Sequence, residues 1–558
     1  MDKDIRRLFK KSILQIARAN YKPQMPESLF GPVKLVKGKP TQSVGDQEEI
    51  KKLFPYTYGM PELKFEKDTH AAHAATEPLN VGVILSGGQA PGGHNVISGI
   101  FDGLKSIHPQ SRLYGFLMGP SGLVNHDYRE LTAEIINEYR NCGGFDIIGS
   151  GRTKLEKIDQ FDKGLEIIKK LNIRAIIIVG GDDSNTNAAV LAEYYKAKGT
   201  GVQVLGCPKT IDGDLKNKWI EASFGFDTAT KVYSELIGNI ERDCNSSKKY
   251  WHFMKVMGRS ASHIALECAL KTQPNVTIIS EEVEAKNQTL NQVVDYIAKI
   301  VATRAAHGLN YGTVLIPEGL IEFFPAMKQL IAQLNNILAE HPEFKEMAPD
   351  DQHEFVISHL TGQNAEFFST LPAKVARQLY HDRDPHGNVL VSLIETDQLL
   401  SEMVAKKLEE MRAQGKYVGR FRPMHHFFGY EGRCGDPSNF DANYCYALGY
   451  NAAQLVKCGA TGYMSSIRNL SQPVSEWVAG GIPITMMLHM EQRSGEMKPV
   501  IRKALVDLSD KPFQVFAENR DEWAVNTCYI YPGAVQYFGP SEVCDQTTRT
   551  LYYEHVAK

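Results

Sequence analysis

Short apolar runs alternate with glycine-rich turns and amphipathic segments along much of this 558-residue sequence. VGVIL (81–85) leads into SGGQAPGG and then a segment with apolar residues at helical spacing, and AIIIV (175–179) leads into GGDDS and a second such segment. Helices that connect successive strands make those strands parallel and cover both faces of the sheet. The alternation therefore predicts a doubly wound α/β fold, with further strand–helix units at 276–282 and 311–319.

The composition restricts the kind of partner. The chain is 43% hydrophobic and 23% charged, with a net charge of −3, which is typical of a globular protein and gives no field suited to nucleic acid or an anionic membrane. No apolar stretch approaches the ~18 residues of a membrane span, and the N-terminus lacks the apolar core of a signal peptide. The nine cysteines are scattered, without a CxxC pair. We therefore expect a cytoplasmic protein with reduced thiols and a small-molecule partner, and no nucleic-acid or membrane partner.

Polar turns follow three of the predicted strands: SGGQAPGG (86–93), GGDDS (180–184) and CPKTIDGDL (207–215). Ligands of open α/β sheets bind outside the carboxyl ends of the strands, and glycines allow the backbone to approach an anion. The first turn is not a P-loop, because His94 and Asn95 stand where Lys and Ser/Thr are required, and GxGxxG is absent. A tight turn without a ligand is the alternative.

The second and third turns contain the groups that phosphoryl transfer needs. Mg²⁺ is usually held by one or two carboxylates plus substrate oxygens, so an aspartate beside a phosphate-binding turn indicates a metal site. A helix N-cap followed by a first-turn acid is the alternative for GGDDS. In the third turn, Lys209 offers a cation and Asp212 or Asp214 a base for an acceptor hydroxyl. A turn with surface charges is the alternative there.

The motifs, in this order, resemble the phosphofructokinase family, in particular its long, pyrophosphate-dependent branch. They are Gly87-Gly88, GGDDS, PKTIDGD, VMGRSASHIALECAL (256–270), IPEG (316–319) and GYEGR (429–433). The resemblance spans residues 81 to about 470. It implies two doubly wound, mostly parallel-sheet lobes with a cleft between them, Mg²⁺ as cofactor, pyrophosphate and fructose 6-phosphate as substrates, and at least a homodimer.

The resemblance also implies a donor site. Asp182 corresponds to the metal-associated acid of the family. Asp183 stands where ATP-dependent members usually carry Gly, and its carboxylate would occupy the place of the α-phosphate of ATP. Lys209 stands where those members commonly have a small residue. Both differences favour pyrophosphate, and the implied diphosphate-binding residues are Gly87, Gly88, Arg152, Gly181, Asp183 and Lys209.

For the sugar phosphate, the resemblance makes Asp212 the base that takes the proton of the C1 hydroxyl, with Lys209 and Arg259 stabilising the transition state. The implied substrate-binding residues are Thr210, Asp212, Asp214, Lys249, Met257, Gly258, Arg259, Glu318, Tyr430 and Arg433. Tyr430 stands where many short members have His. A basic residue of the neighbouring subunit is expected at the 6-phosphate; Lys249 is assigned and Lys248 is the alternative. Arg422 and His425 are candidates for a similar role.

We expect reversible transfer of a phosphoryl group from pyrophosphate to O1 of fructose 6-phosphate, a step of glycolysis and gluconeogenesis. The alternatives are an ATP-dependent 6-phosphofructokinase and a non-catalytic regulatory subunit of a hetero-oligomer, whereas the absence of GxGxxG disfavours a dinucleotide-dependent oxidoreductase. The predicted domains are an N-terminal extension (1–80), a diphosphate and Mg²⁺ lobe (81–220), a sugar-phosphate lobe (221–324 and 416–480), a helical insertion (325–415) and a C-terminal accessory segment (481–558).

Overall fold

The computed structural model describes residues 11–68, 77–371, 373–381, 393–493 and 496–555. They form two compact units. The first comprises the described residues of Met1–Val232, Tyr430–Ala504 and Val535–Val556, and the second comprises those of Tyr233–Gly429 and Leu505–Ala534. Among the described residues, no helix combines the length and the apolar character needed to cross a membrane.

The strands form three sheets. In chain order they are β1 (Val33–Pro40), β2 (Pro61–Lys67), β3 (Asn80–Leu85), β4 (Arg112–Phe116), β5 (Tyr128–Glu130), β6 (Ile173–Gly180), β7 (Gln203–Pro208), β8 (Trp251–Val256), β9 (Val276–Thr277), β10 (Gly312–Pro317), β11 (Pro423–Phe428), β12 (Tyr463–Arg468), β13 (Val478–Pro483), β14 (Leu488–Arg493) and β15 (Glu496–Ile501). The first unit contains a nine-stranded sheet in the order β1-β2-β13-β12-β7-β6-β3-β4-β5 and the hairpin β14-β15. The second unit contains the sheet β11-β8-β10-β9.

The middle of the large sheet is parallel, from β12 through β7, β6 and β3 to β4. β3, β6 and β7 are the apolar runs that precede the three polar turns, and their residues are almost entirely buried. The register pairs Leu85 with Val179 and Gly180 with Pro208, so the strands end side by side. The three turns therefore begin at one edge of one sheet.

Helices connect these strands. After β3 the chain forms helix Gly93–Ile107, and after β6 it forms helix Asp182–Ala197. The other helices of the first unit are Ile13–Ala19, Gln47–Leu53, Pro120–Asn125, Ala133–Tyr139, Ile158–Lys170, Glu431–Cys434, Asn439–Lys457, Ser541–Cys544 and Arg549–His555. Helix Phe226–Ser247 contains the boundary between the units. Ile84, Ile176 and Ile178 belong to the core of this unit.

The sheet of the second unit is parallel throughout. β9 covers only two residues of the run predicted over 276–282, because a helix begins at Ser280. The helices of this unit are His263–Thr272, Ser280–Ala285, Leu290–Ala306, Pro325–Glu340, Pro349–His359, Gly362–Thr370, Ala373–His381, Thr396–Ala413 and Lys511–Val525. Trp251, Phe253 and Val314 lie in a core that also includes side chains from the helices between 325 and 413.

The structure confirms an α/β fold with mostly parallel sheets. Its compact units are divided differently from the predicted domains. The prediction assigned 416–480 to the sugar-phosphate lobe, but β12 pairs in parallel with β7 and belongs to the first unit. The hairpin β14-β15, predicted as part of an accessory segment, also belongs to the first unit.

Candidate active site

A hydrogen bond joins the first two turns, and another joins the first turn to Gly151. Ser184 Oγ donates to Ser86 Oγ (2.8 Å), and the amide of Gly87 donates to the carbonyl oxygen of Gly151 (2.9 Å). Gly87 has φ +85°, a left-handed conformation that favours glycine. These contacts bring Arg152, the residue after Gly151, beside the glycine turn.

Three cations face the Gly87-Gly88 turn. A Cβ atom added at Gly87 would lie 3.2 Å from Lys209 Nζ. One added at Gly88 would lie 3.0 Å from Arg433 Nη1 and 3.5 Å from Arg152 Nη2. A side chain here would fill the space between the backbone and the cations. The absence of side chains therefore leaves a cationic recess of the kind that binds phosphate groups.

Lys209 is the most buried of these cations, with 5% of its surface exposed. Burial, together with the nearby charges of Arg433 and Arg152, lowers the pKa of its ammonium group to about 7. The positive charges repel one another in the absence of an anion, so a bound phosphate group would relieve the repulsion and favour the charged lysine. This electrostatic arrangement supports an anion site.

The third turn places carboxylates next to Lys209. The Asp212 amide donates to Thr210 Oγ1 (3.0 Å), while Asp212 Oδ1 is buried and has no hydrogen-bond partner among the described residues. Burial and the neighbouring Asp212 raise the pKa of Asp214 to about 7. An unsatisfied buried acceptor is costly, so the position suits a group that receives a hydrogen bond from a substrate hydroxyl.

Each aspartate of GGDDS has its own cation. Lys503 Nζ lies 3.5 Å from Asp182 Oδ2 and 3.9 Å from Asp214 Oδ2. Arg493 Nη1 donates to Asp183 Oδ1 (2.9 Å). Burial alone would raise the pKa of Asp182, but Lys503, the backbone amide of Asp183 and Arg493 together lower it below its usual value. Both aspartates also lie in the first turn of helix Asp182–Ala197, where negative charge is favoured.

These carboxylates fit a hard divalent cation that takes further ligands from substrate and water. Asp182 and Asp214 both direct an oxygen at the position of Lys503 Nζ. Within the described ranges there is no cluster of three or more His, Cys, Asp or Glu side chains able to hold a metal without a substrate. The donor set is suited to Mg²⁺ rather than to a structural metal.

The predicted sugar-phosphate residues of the second unit lie at the carboxyl ends of two adjacent strands. Met257, Gly258 and Arg259 follow β8, and Glu318 follows β10 in parallel register with it. Gly258 has φ +116°, and Glu318 is buried. A Cβ atom at Gly319 would overlap the backbone of Arg259, so the two turns are in direct contact.

Other predicted residues are dispersed. Lys249 is exposed and precedes the amino end of β8, so the six residues of the strand, about 20 Å, separate it from Arg259. His425 accepts from or donates to Ser401 Oγ through Nε2 (2.7 Å), and the Arg422 carbonyl accepts from the Trp251 amide. Their functional assignments stay predictions.

In the first unit, Tyr430 is exposed, and its ring centre lies 5.9 Å from Arg433 Cζ. Arg433 Nη1 also donates to the carbonyl oxygen of Gln89 (3.4 Å). The guanidinium that the resemblance assigns to the 6-phosphate thus lies beside the glycine turn assigned to the diphosphate.

Sequence reasoning missed Arg493 and Lys503. Both follow β13, in a segment without a glycine turn after a strand, and the Arg493–Asp183 pair is separated by 310 residues. No local spacing signals such a contact.

A glycine turn faced by three cations, next to a group of carboxylates at the carboxyl ends of parallel strands, defines the class of phosphate-handling α/β enzymes. Comparison of the sequence with known families identifies the member of that class. The sequence profile described as Phosphofructokinase matches residues 80–456. The chain belongs to the phosphofructokinase family.

Full-length relatives agree. The chain is 61% identical to pyrophosphate–fructose 6-phosphate 1-phosphotransferase of Porphyromonas gingivalis, over 98% of this chain and 99% of that protein. It is 52% identical to the protein of the same name from Treponema pallidum, over 98% and 97%. The crystal structure of pyrophosphate-dependent phosphofructokinase from Marinobacter aquaeolei is similar with a TM-score of 0.53 and 16% identity, covering 83% of this chain and 93% of that one. At that identity the structural likeness supports the fold alone.

Proposed function

We propose that this protein transfers a phosphoryl group reversibly between pyrophosphate and O1 of fructose 6-phosphate. The relatives with 61% and 52% identity carry that activity in their names. Two observations together support pyrophosphate as the donor. The buried cation Lys209 faces the glycine turn, and the carboxylate of Asp183, which is hydrogen-bonded to Arg493, lies in the first turn of helix Asp182–Ala197. The first attracts an inorganic phosphate, and the second occupies the place that a further phosphate group of the donor would take.

Asp212 acts as the base in this reaction. Its carboxylate takes the proton of the C1 hydroxyl while the O1–P bond forms, the bridging P–O bond of the diphosphate breaks, and orthophosphate leaves. Lys209 and Arg152 hold the donor at the Gly87-Gly88 turn, and Arg259 stabilises the negative charge of the transition state. In the reverse direction, Asp212 returns the proton to O1.

Asp182 and Asp214 would hold Mg²⁺. When bound, the ion neutralises the oxygens of the diphosphate and so lowers the cost of bringing it close to the carboxylates. The fit rests on the two carboxylate oxygens around Lys503 Nζ. Lys503 balances part of their charge before the ion and the substrate bind.

Met257, Gly258, Arg259 and Glu318 bind fructose 6-phosphate, and Tyr430 and Arg433 hold its 6-phosphate. Lys249 is remote from Arg259 along β8. Its contact with the same substrate therefore requires a second copy of the chain. We expect at least a homodimer, to be checked by light scattering after size-exclusion chromatography. The nine free cysteines support a cytoplasmic protein.

Initial rates with fructose 6-phosphate and Mg²⁺ test the proposal. We expect turnover with pyrophosphate, little with ATP, and a gain of ATP use in Asp183→Gly. Equal use of ATP by the unaltered protein would contradict the assignment of the donor. An absence of turnover with both donors would contradict enzymatic activity and favour the regulatory-subunit alternative.

A further inference from the structure

Arg493 provides a contact to the donor site that comes from a distant part of the chain. It is the last residue of β14, whose partner β15 begins at Glu496. Arg493 Nη1 donates to Asp183 Oδ1 (2.9 Å), and Arg493 Nε donates to Glu491 Oε1 (3.3 Å) on the same strand. The guanidinium thus lies between two carboxylates and donates a hydrogen bond to each.

We propose that Arg493 is a positioning residue for donor selection, acting through Asp183. The proposal rests on the function proposed above. A carboxylate that excludes an organic substituent on the donor must also avoid repelling inorganic diphosphate itself. Arg493 meets both requirements, because it balances the charge of Asp183 and restricts its side chain to one orientation.

The surroundings explain why a dedicated cation is needed. Asp183 is adjacent to Asp182, and the side chain of Asp183 is 44% exposed, so it has room to rotate in the absence of a partner. Lys503 lies beside Asp182 and Asp214. Burial alone would lower the pKa of the Arg493 guanidinium, but the nearby charges of Asp183, Glu491 and Asp182 together raise it above its usual value. Loss of Arg493 would leave Asp183 as a mobile negative charge beside an anionic substrate.

The experiment compares Arg493→Leu with Arg493→Lys, each with pyrophosphate and with ATP. For Arg493→Leu we expect kcat/KM for pyrophosphate to fall about tenfold or more, while kcat/KM for ATP stays the same or rises, so that the ratio of the two donors falls at least tenfold. Arg493→Lys retains the charge and should recover most of the pyrophosphate activity. A general structural defect would lower activity with both donors and would leave their ratio unchanged.

A double-mutant comparison tests whether the effect of Arg493 depends on Asp183. In the Asp183→Gly background, Arg493→Leu should change kcat/KM for pyrophosphate by less than about threefold, because the carboxylate that it balances is gone. Lys498→Met is the matched control, since Lys498 lies on β15 and pairs with Glu496 at the surface (3.6 Å). It should retain the donor ratio.

Three results would overturn the inference: an unchanged donor ratio in Arg493→Leu, an equal loss in both backgrounds, or the same loss in Lys498→Met. Each can occur while the unaltered protein turns over pyrophosphate, and then the proposed function stands. If the unaltered protein has no activity with pyrophosphate and fructose 6-phosphate, both the function and this inference are refuted.

Discussion

Gly319 lies against the backbone of Arg259, in the second of the two turns that we propose bind the sugar phosphate, so its replacement tests the assignment of Arg259. A Cβ atom at Gly319 would lie 2.6 Å from the carbonyl carbon of Arg259 and 3.1 Å from its Cα, and closer still to the carbonyl oxygen. All three atoms belong to the backbone and have no rotamer by which to move away. In Gly319→Ala, the Arg259 turn must therefore shift as a whole.

The size of the shift follows from the contact distance. Carbon atoms pack at about 3.5–4.0 Å, so the Arg259 backbone must retreat by about 1 Å. A misplacement of about 1 Å costs roughly 100-fold in rate when the displaced group binds the reacting substrate. We expect kcat/KM for fructose 6-phosphate to fall about 100-fold, which corresponds to about 2.7 kcal/mol of lost transition-state stabilisation. KM for pyrophosphate should change less than threefold.

Steady-state kinetics with each substrate varied in turn measures both quantities. Gly308→Ala is the control in the same unit: Gly308 has φ +78°, and a Cβ atom added there would have no described atom within 4 Å, so the variant loses stability through backbone strain without displacing Arg259. A Gly319→Ala protein whose kcat/KM for fructose 6-phosphate is within threefold of the unaltered value would refute the reasoning. An equal loss in Gly308→Ala would attribute the effect to stability instead.

Three further predictions concern the first unit. Asp212→Asn should lower kcat by about 10²–10⁴-fold with KM values within a few-fold, because the base is lost but its shape is kept; unchanged kcat would refute its role. Lys503→Met should tighten Mn²⁺ binding about tenfold in electron paramagnetic resonance titrations with pyrophosphate present, because the lysine ammonium, 3.5 Å from Asp182 Oδ2 and 3.9 Å from Asp214 Oδ2, competes with the ion for these oxygens; equal affinity would contradict this. Burial lowers the pKa of His94 to about 4 in the folded protein. The free energy of unfolding should therefore decrease by up to about 3 kcal/mol as the pH falls from 6.5 to 4, because the unfolded chain binds the proton more tightly. Urea unfolding of His94→Gln over the same pH range should show a smaller decrease.

The last of these predictions depends on a fixed tautomer. The Cys142 carbonyl can only accept, so His94 Nδ1 donates to it (3.1 Å), and the Ile147 amide donates to Nε2 (3.3 Å). Protonation of Nε2 would place its hydrogen against that of the Ile147 amide; Asp146 Oδ1, 3.4 Å from Nε2, attracts the charged ring, but burial has the larger effect on the pKa. The histidine that occupies the P-loop lysine position in the sequence is therefore a buried, neutral group that holds the turn.

The parts of the site that follow β3, β6 and β7 could be predicted from sequence because each turn is contiguous with its strand. An apolar run, a glycine and a polar residue are local signals, and parallel strands bring such turns to one edge. The contacts of Arg493 and Lys503 could not be predicted in this way. They depend on the pairing of β14 with β15 and, for Arg493, on contact with Asp183, 310 residues earlier in the chain. Hydrophobic periodicity carries no information about such a long-range contact.

Lys503 and Arg493 also differ in how closely they contact the two aspartates of GGDDS. Lys503 carries a compact charge that lies 3.5 Å from Asp182 and 3.9 Å from Asp214, longer than ordinary hydrogen bonds, so a divalent ion can compete for the same oxygens. Arg493 makes a 2.9 Å charge-assisted bond to Asp183 through a planar group fixed by a second acid. A displaceable partner suits Asp182, which in our proposal exchanges Lys503 for a divalent ion. A rigid partner suits Asp183, whose carboxylate in our proposal has to stay in one position to exclude a larger donor.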